Sequence, residues 1–421
     1  MRTITSSASR RPRAARAAAK SGSTMPETFS EPSVRIQAIR KALFDTPYSV
    51  CLERPLLFDA FWRSREGKRA KKEHPFVRRA SALEYVLSHR KPRIYDGELI
   101  IGNMTSKRIA ANYYHEGGSV NILEDVFRMK RRAIPLVMSV REKLQLVRIG
   151  LTYVFSSVAG RAFIRTGRFG DFLDFFFAKR YFITEEAGIG HQCVDYRTVV
   201  HEGLGSLDLR AEKYLADGRN AAGPLNADQA AFYRSVRLAI SGIRGMAGNL
   251  ADEAERLALL PGTAAARKSE LLESAAACRH VPYGPARTFL EGVQACWLVH
   301  IALNLEDFEQ GLSFGRLDRI LYPLYRADID SGRLTRERAT EILASFSLKT
   351  CETIPVYSER IDRFFSGNGV AQAITVGGTD ERGRDVTNEL SGAILDAYAQ
   401  VRTREPALHV RVHGSTPPWL L

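Results

Sequence analysis

Residues 285–352 read PARTFLEGVQACWLVHIALNLEDFEQGLSFGRLDRILYPLYRADIDSGRLTRERATEILASFSLKTCE, and the architecture of the whole chain can be argued outward from them. Phe289, Val293, Cys296, Trp297, Val299, His300 and Ile301 recur at helical spacing, which predicts a buried helix. The short turn from Gln310 to Arg316 interrupts it. A second helical run opens at residues 317–325 and a third covers 334–350. Gly311 and Gly315 bracket the turn, and glycine permits backbone angles and close approaches that other residues resist. A helix, a Gly-Ser-Gly turn and then Arg-Leu-Asp can point a loop into a cavity.

Downstream, residues 370–377 are β-rich and end in Gly377-Gly378, residues 388–398 are helical, and 408–413 form a last strand. Strand, helix, strand predicts one parallel βαβ unit. Upstream, the Ala-rich stretches 228–259 and 263–278 flank Pro261-Gly262 and read as an antiparallel helix pair. Residues 34–43 are amphipathic, Pro55 opens a helix through Phe61, 80–88 is helical, and 98–102 is a strand candidate before a Gly-Asn turn. Helices are expected in 120–172, which holds the basic run 129–132, and the aromatic run 172–177 suits core packing. Residues 180–207 carry a Gly-Ile-Gly-His turn, with a helix expected from about Asp195. The fold class is therefore α/β with a large helical layer.

The chain has 421 residues and can bury a large core. No uninterrupted apolar run approaches the roughly 20 residues of a membrane span. Its five cysteines are scattered without a Cys-x-x-Cys pair, which argues against a disulfide framework or a zinc site and for a reducing, cytoplasmic setting. Cys193 reads as a small apolar filler. Of the net charge of +14, six positive charges lie within residues 1–24 without one acid. Residues 1–30 are taken as a basic tail without fixed structure or as a start set ahead of Met25; a transit peptide fits less well, because the apolar periodicity is poor. The basic run 63–79 lacks aromatic interleaving and reads as a solvated face, not a nucleic-acid surface.

Several stretches resemble the glycyl radical enzymes, the pyruvate formate-lyase superfamily. PARTFLEGVQACW is similar to the family's Pro-x-Arg-x-Phe-x-Glu-Ala-x-Gln helix, which selects Arg287, Glu291 and Gln294. LSFGRLDRILYPLYRADIDSG is similar to its Ser-x-Gly-Arg-x-Asp stretch, which selects Gly315, Arg316 and Asp318. CLERPLLFDAF with DGELIIGNMTSK resembles the N-terminal signature, and AITVGGTDERGRDVTNELSGAILDA the block containing Gly377, Gly378 and Asn388. The matches come in family order from about Arg35 onward.

The resemblance implies a ten-stranded α/β barrel of which residues 31–421 supply the N-terminal part and the outer helices. It implies radical cleavage of a C–C, C–O or C–N bond in a small polar substrate, with no bound metal or organic cofactor here. The family's catalytic cysteine and radical glycine would lie beyond the segment matching PALHVRVHGSTPPWLL, so no catalytic residue is assigned within this chain. Gly414 in Arg-Val-His-Gly is excluded as the radical site, because Ser415 follows where the family has an aromatic residue. The implied partners are a C-terminal half, a radical S-adenosylmethionine activating enzyme and a second copy in the complete enzyme. A non-catalytic subunit of the same fold is the alternative, and a basic nucleic-acid-binding protein ranks below both. His191, Gln310, Gly311 and Ser313 are the candidate substrate-pocket residues. An imidazole titrates near neutral pH and suits proton transfer; a hydroxyl can donate to a substrate oxygen. Against these stand the bland readings: His191 as a surface or capping residue, Ser313 as an N-cap, and Arg316 with Asp318 as a structural ion pair. Asp380 and Asn388 suit turn and cap roles.

Overall fold

The computed structural model describes residues 30–117, 123, 126, 134–176, 191–307, 311–356, 359 and 369–421. The first 29 residues, the basic run 129–132, residues 188–190 and Gln310 lie outside the described residues.

The helix Phe289–Glu306 is the axis of the molecule. It is apolar on every side, so it is buried on every side, and Phe289, Ala295, Cys296, Trp297, Leu298 and Ile301 have no solvent exposure. Both ends are closed by side chains. At the N-terminus the Thr288 hydroxyl accepts from the Glu291 nitrogen at 3.2 Å, and the Glu291 carboxylate accepts from the Arg287 nitrogen at 2.7 Å. At the C-terminus the Arg54 guanidinium donates to the carbonyls of Leu305 at 2.7 Å and Glu306 at 2.8 Å. A cation at this end also complements the helix dipole. Arg54 lies between the rings of Phe58 and Tyr114, each 4.5 Å away, and makes paired 2.8 Å bonds to Glu116. Burial favours the neutral acid of Glu116, yet this guanidinium wins and holds its carboxyl down to about 2.

An outer layer of helices surrounds the axis. Ala227–Ala258 and Ala265–His280 run as the expected antiparallel pair, and the longer one packs on Pro75–His89 and Leu204–Asp217. Val34–Phe44 packs on Arg336–Thr350, which packs in turn on Glu389–Val401.

The strands are short and gather into two parallel strips. In the first, β1 (Ser49–Cys51) pairs with β2 (Ala110–Asn112); Val137 extends the strip beyond β1 and Thr353 beyond β2. A small antiparallel ribbon of β3 (Arg219–Asn220) and β4 (Gly223–Pro224) stands apart. In the second strip, β5 (Ala373–Gly377) pairs with β6 (Ala407–Arg411), joined through the helix Glu389–Val401 as the expected parallel βαβ unit. Gly315 bridges to Ile374 and Ser313 to Cys193, so this strip is extended on the β5 side.

Four local expectations are corrected. Residues 98–102 are not a strand, because side chains satisfy their backbone: Gln294 Oε1 accepts from the Ile101 nitrogen and Gln294 Nε2 donates to the Ile101 oxygen, both at 2.9 Å. The strand of this region is β2, which follows later in the chain. Pro55 does not open its helix, which starts at Glu53; in the first turn its missing N–H would have no intrahelical partner anyway. The run after Arg316 splits into Leu317–Ile320 and Tyr322–Asp330, because Pro323 cannot continue a helix from the preceding turn. The last strand ends at Arg411, paired with Gly377, which places the Arg411–Gly414 stretch at the edge of a sheet.

Candidate functional site

Residues 311–316 form an extended segment bridged to Cys193 on one side and to β5 on the other. On one side the Ser313 nitrogen donates to Gln192 O at 2.8 Å. On the other, Gly311 N donates to Val370 O and Phe314 N to Ala373 O, both at 2.8 Å, and Gly315 O accepts from Thr375 N at 2.9 Å. Both glycines are required. Gly311 has φ +79°, and a Cβ there would stand 2.8 Å from His191 Nδ1; Gly315 has φ +68°, and its Cβ would stand 2.6 Å from Cys193 Sγ. His191 itself holds φ +65°, an uncommon angle for a side-chain-bearing residue.

The expected pocket residues therefore meet, except Gln310, which is not described. His191 and Cys193 are exposed, and Ser313 is half-buried between Leu312 and Phe314, which are buried. The Ser313 hydroxyl makes no hydrogen bond among the described residues, so it is available to a ligand. It is not an N-cap: the following helix is capped at Arg316 without a side-chain bond. Cys193 is not a buried filler either, since its thiol reaches the surface of the strip; partial burial and Asp195 push its pKa up, which disfavours the thiolate.

Behind this segment runs a buried polar thread that sequence reading missed. Tyr196 OH lies 3.0 Å from His300 Nδ1, His300 Nε2 lies 2.8 Å from Gln372 Oε1, and Gln372 Nε2 donates to Thr350 O at 2.9 Å. The last bond orients the amide, so its oxygen faces His300. Nε2 must then carry the imidazole proton, and Nδ1 accepts from the tyrosine hydroxyl. Burial pushes the His300 pKa down to about 4, so the ring is neutral at physiological pH. Its ring lies 4.2 Å from Phe314, which also stacks on Tyr196 at 5.6 Å. The thread thus fixes the back of the segment whose front carries Ser313. A histidine inside an apolar helix was the available signal.

Arg316 and Asp318 do not pair with each other. Arg316 donates to Gly377 O at 2.6 Å and Thr379 O at 2.9 Å, while Asp318 Oδ2 accepts from Gly377 N and Ser391 Oγ, both at 2.7 Å. Asn388 caps the next helix, accepting from Leu390 N at 2.9 Å, and donates to Asp318 O at 3.0 Å. The two charged residues clamp the Gly377–Thr379 turn from both sides. Gly377 and Gly378, at φ +71° and +86°, sit against Leu420 and Arg411 respectively. Asp380 organises its turn by accepting from the nitrogens of Arg382 and Arg384 at 2.9 Å.

The first strip ends in a buried charge cluster that was also not foreseen. Lys349 Nζ lies 2.8 Å from Glu98 Oε1, Glu352 Oε2 and Asn103 Oδ1 alike. Burial, opposed by Lys349 and reinforced by Glu98, pushes the Glu352 carboxyl up to about 8. Lys349 and Glu352 stand three residues apart at a helix end, a spacing that could have flagged them.

The family model for pyruvate formate lyase-like proteins matches residues 25–421, nearly the whole chain. The chain belongs to the pyruvate formate lyase-like family. The 4-hydroxyphenylacetate decarboxylase glycyl radical subunit of Clostridioides difficile (strain CD196) is 28% identical over 395 residues, covering 83% of this chain and 43% of that protein. The (2S)-3-sulfopropanediol dehydratase of Klebsiella oxytoca is 26% identical, covering 92% of this chain and 47% of that protein. The solved glycyl radical enzyme from Archaeoglobus fulgidus superposes with a TM-score of 0.82 at 30% identity, covering 91% of this chain and 48% of that one. The chain spans about half the length of the relatives it matches. Within this pyruvate formate lyase-like chain, Arg287, Glu291, Gln294, Arg316, Asp318 and Asn388 are framework residues, His191 and Cys193 are exposed, Ser313 is half-buried, and Gly311 is buried against His191.

Proposed function

We propose that this chain is the N-terminal portion of a glycyl radical enzyme that breaks a C–C, C–O or C–N bond in a small polar substrate. The observation that carries this reading is the glycine-flanked segment 311–315, bridged on both sides, with exposed His191 packed against Gly311 and a Ser313 hydroxyl that makes no hydrogen bond among the described residues. Ser313 would donate to a substrate oxygen, and His191 would exchange a proton with it. None of the five cysteines lies where the family has its catalytic cysteine, and four of them are buried, so none is assigned the hydrogen-abstracting role. A C-terminal portion would supply that cysteine and the radical glycine, the latter activated by a radical S-adenosylmethionine enzyme. It would also add strands to the two parallel strips and complete a ten-stranded barrel, in a cytoplasmic homodimeric assembly.

The test begins with the coding sequence downstream of Leu421, which should encode a Gly-Cys loop and a C-terminal Arg-Val-x-Gly-aromatic motif. Co-expression of both portions with the activating enzyme should give a glycyl radical signal by electron paramagnetic resonance. Ser313→Ala and His191→Gln should leave that signal intact while lowering turnover by about tenfold or more. Absence of the radical in a folded complex of both portions would refute the reading.

A further inference from the structure

The helix Val140–Tyr153 is apolar on two faces, and the core accounts for only one of them. Leu146, Ile149 and Gly150 are buried. On the other face Val140, Leu144 and Leu151 are 72%, 58% and 61% exposed, with half-buried Val147 between them. Large apolar side chains scattered singly are ordinary surface, but aligned along one helix they mark a contact surface. At about 100° per residue these four fall within about 60° of arc. Their spacing of four, three and four residues is that of alternating d and a positions in a heptad. Val137 before the helix and Phe155 and Val158 after it are exposed as well.

The charges beside the stripe have one sign. In this register Arg141 and Arg148 take the e positions along one edge, and Lys143 takes a g position along the other. Arg148 is held by Asp59 at 3.0 Å, while Arg141 and Lys143 make no ion pair among the described residues. The one acid of the helix, Glu142, is engaged by its capping box with Ser139 and by Lys107 at 2.6 Å.

These features choose among occupants. A second copy fails on charge. Paired antiparallel, the arginine edges of the two copies would meet; paired parallel, Lys143 would face Arg148, and in both cases cation opposes cation. An anionic membrane surface fits poorly on width. A helix lying in a bilayer sinks a broad apolar arc, whereas a narrow stripe at a and d spacing is the seam of a helix pair. We propose that this face docks an amphipathic α-helix of another polypeptide, apolar along its own heptad seam and acidic along both edges. Its carboxylates would pair with Arg141 and Lys143 and set its choice and orientation.

The full chain tests this with two labelled three-heptad peptides. Both carry Leu at every a and d position; one has Glu and the other Lys at every e and g position. By fluorescence anisotropy the Glu peptide should bind more than about tenfold tighter than the Lys peptide. No binding of the Glu peptide, or equal binding of both, overturns the proposal. Leu144→Lys with Leu151→Lys, two changes at exposed positions, should abolish binding while leaving the thermal melt unchanged; retained binding overturns it. Arg141→Glu with Lys143→Glu should invert the preference toward the Lys peptide, and an unchanged preference for Glu counts against the docking geometry. Two further results would assign the face elsewhere: a dimer in sedimentation velocity that Leu144→Lys with Leu151→Lys dissociates, or binding to phosphatidylglycerol vesicles that the same pair of changes abolishes.

Discussion

The side-chain amide of Gln294 lies against the backbone of Ile101, accepting from its nitrogen and donating to its oxygen at 2.9 Å in each case. One glutamine thereby does for residue 101 what a neighbouring strand would do. The Trp297 indole continues the contact with a 2.8 Å bond to Gly102 O. Replacing Gln294 by Leu leaves two buried backbone groups unpartnered, so unfolding free energy should fall by about 3 kcal/mol. Urea titration monitored by circular dichroism measures it; a loss under about 1 kcal/mol would mean that water replaces the amide.

Glu352 sets a dependence on alkaline pH. Its folded-state pKa is raised to about 8 from an ordinary 4.5, so the folded chain binds the proton more tightly than the unfolded one. The stability this provides is complete below pH 4.5 and is lost as pH rises through 8. Glu352→Gln cannot ionise, so its stability relative to the native chain should improve steadily between about pH 5 and pH 8. Unfolding curves of both proteins across that range decide the matter, and a constant difference contradicts the assignment.

His300 acts in the opposite window. Its pKa is depressed to about 4 from 6.5, so between these values the unfolded chain takes up the proton and the folded one does not. Stability present above pH 6.5 is therefore lost on acidification, with a limiting slope of about 1.4 kcal/mol per pH unit from this group. His300→Phe should flatten that slope and, by stranding Tyr196 OH and Gln372 Oε1, cost about 2 kcal/mol near neutral pH. A nitrogen-15 spectrum of the native ring should show the Nε2–H tautomer throughout, and a ring protonated at about pH 5.5 would refute this.

Gly311→Ala should be worse than a left-handed angle alone explains. Gly218 has φ +62° with nothing within 4 Å of the position a methyl would take, whereas a methyl on Gly311 meets the His191 backbone nitrogen and Cα at 3.2 Å. Gly218→Ala should lose about 1 kcal/mol and Gly311→Ala about twice that. The second substitution should also move the His191 ring resonances, while the first leaves them unchanged. Equal losses and undisturbed His191 signals would show that the segment yields without strain.

The helices were legible in the sequence where a single period dominated. The apolar spacing from Phe289 to Ile301, the Pro261-Gly262 break and the Asn388 cap each announced an element that the structure contains. The strands were less legible, because those of the parallel strips have three to five residues and Val137 and Thr353 join only as single bridges. Residues 98–102 deceived because apolar content cannot reveal whether a backbone is satisfied by a strand or by a glutamine 193 residues away. The loop bearing Ser313 was found through its glycines. The Tyr196–His300–Gln372 thread was not, since its members lie on separate parts of the chain and meet only once it is packed. Arg316 and Asp318 showed the same limit: an ion pair between them was expected and is absent, and their shared grip on the Gly377–Thr379 turn was not foreseen.

The second strip has one further consequence, at β6. Its inner side is fully laddered to β5, but among the described residues no strand pairs with its outer side, and Val410 and Val412 are exposed. Such an edge is a template for any extended backbone that reaches it. The handling of this chain is thus a kinetic competition: a cognate strand that docks first silences the edge, and at high concentration another copy of the chain arrives sooner. Dilution, cold or simultaneous synthesis with a complementary partner should govern its yield more than its intrinsic folding stability does.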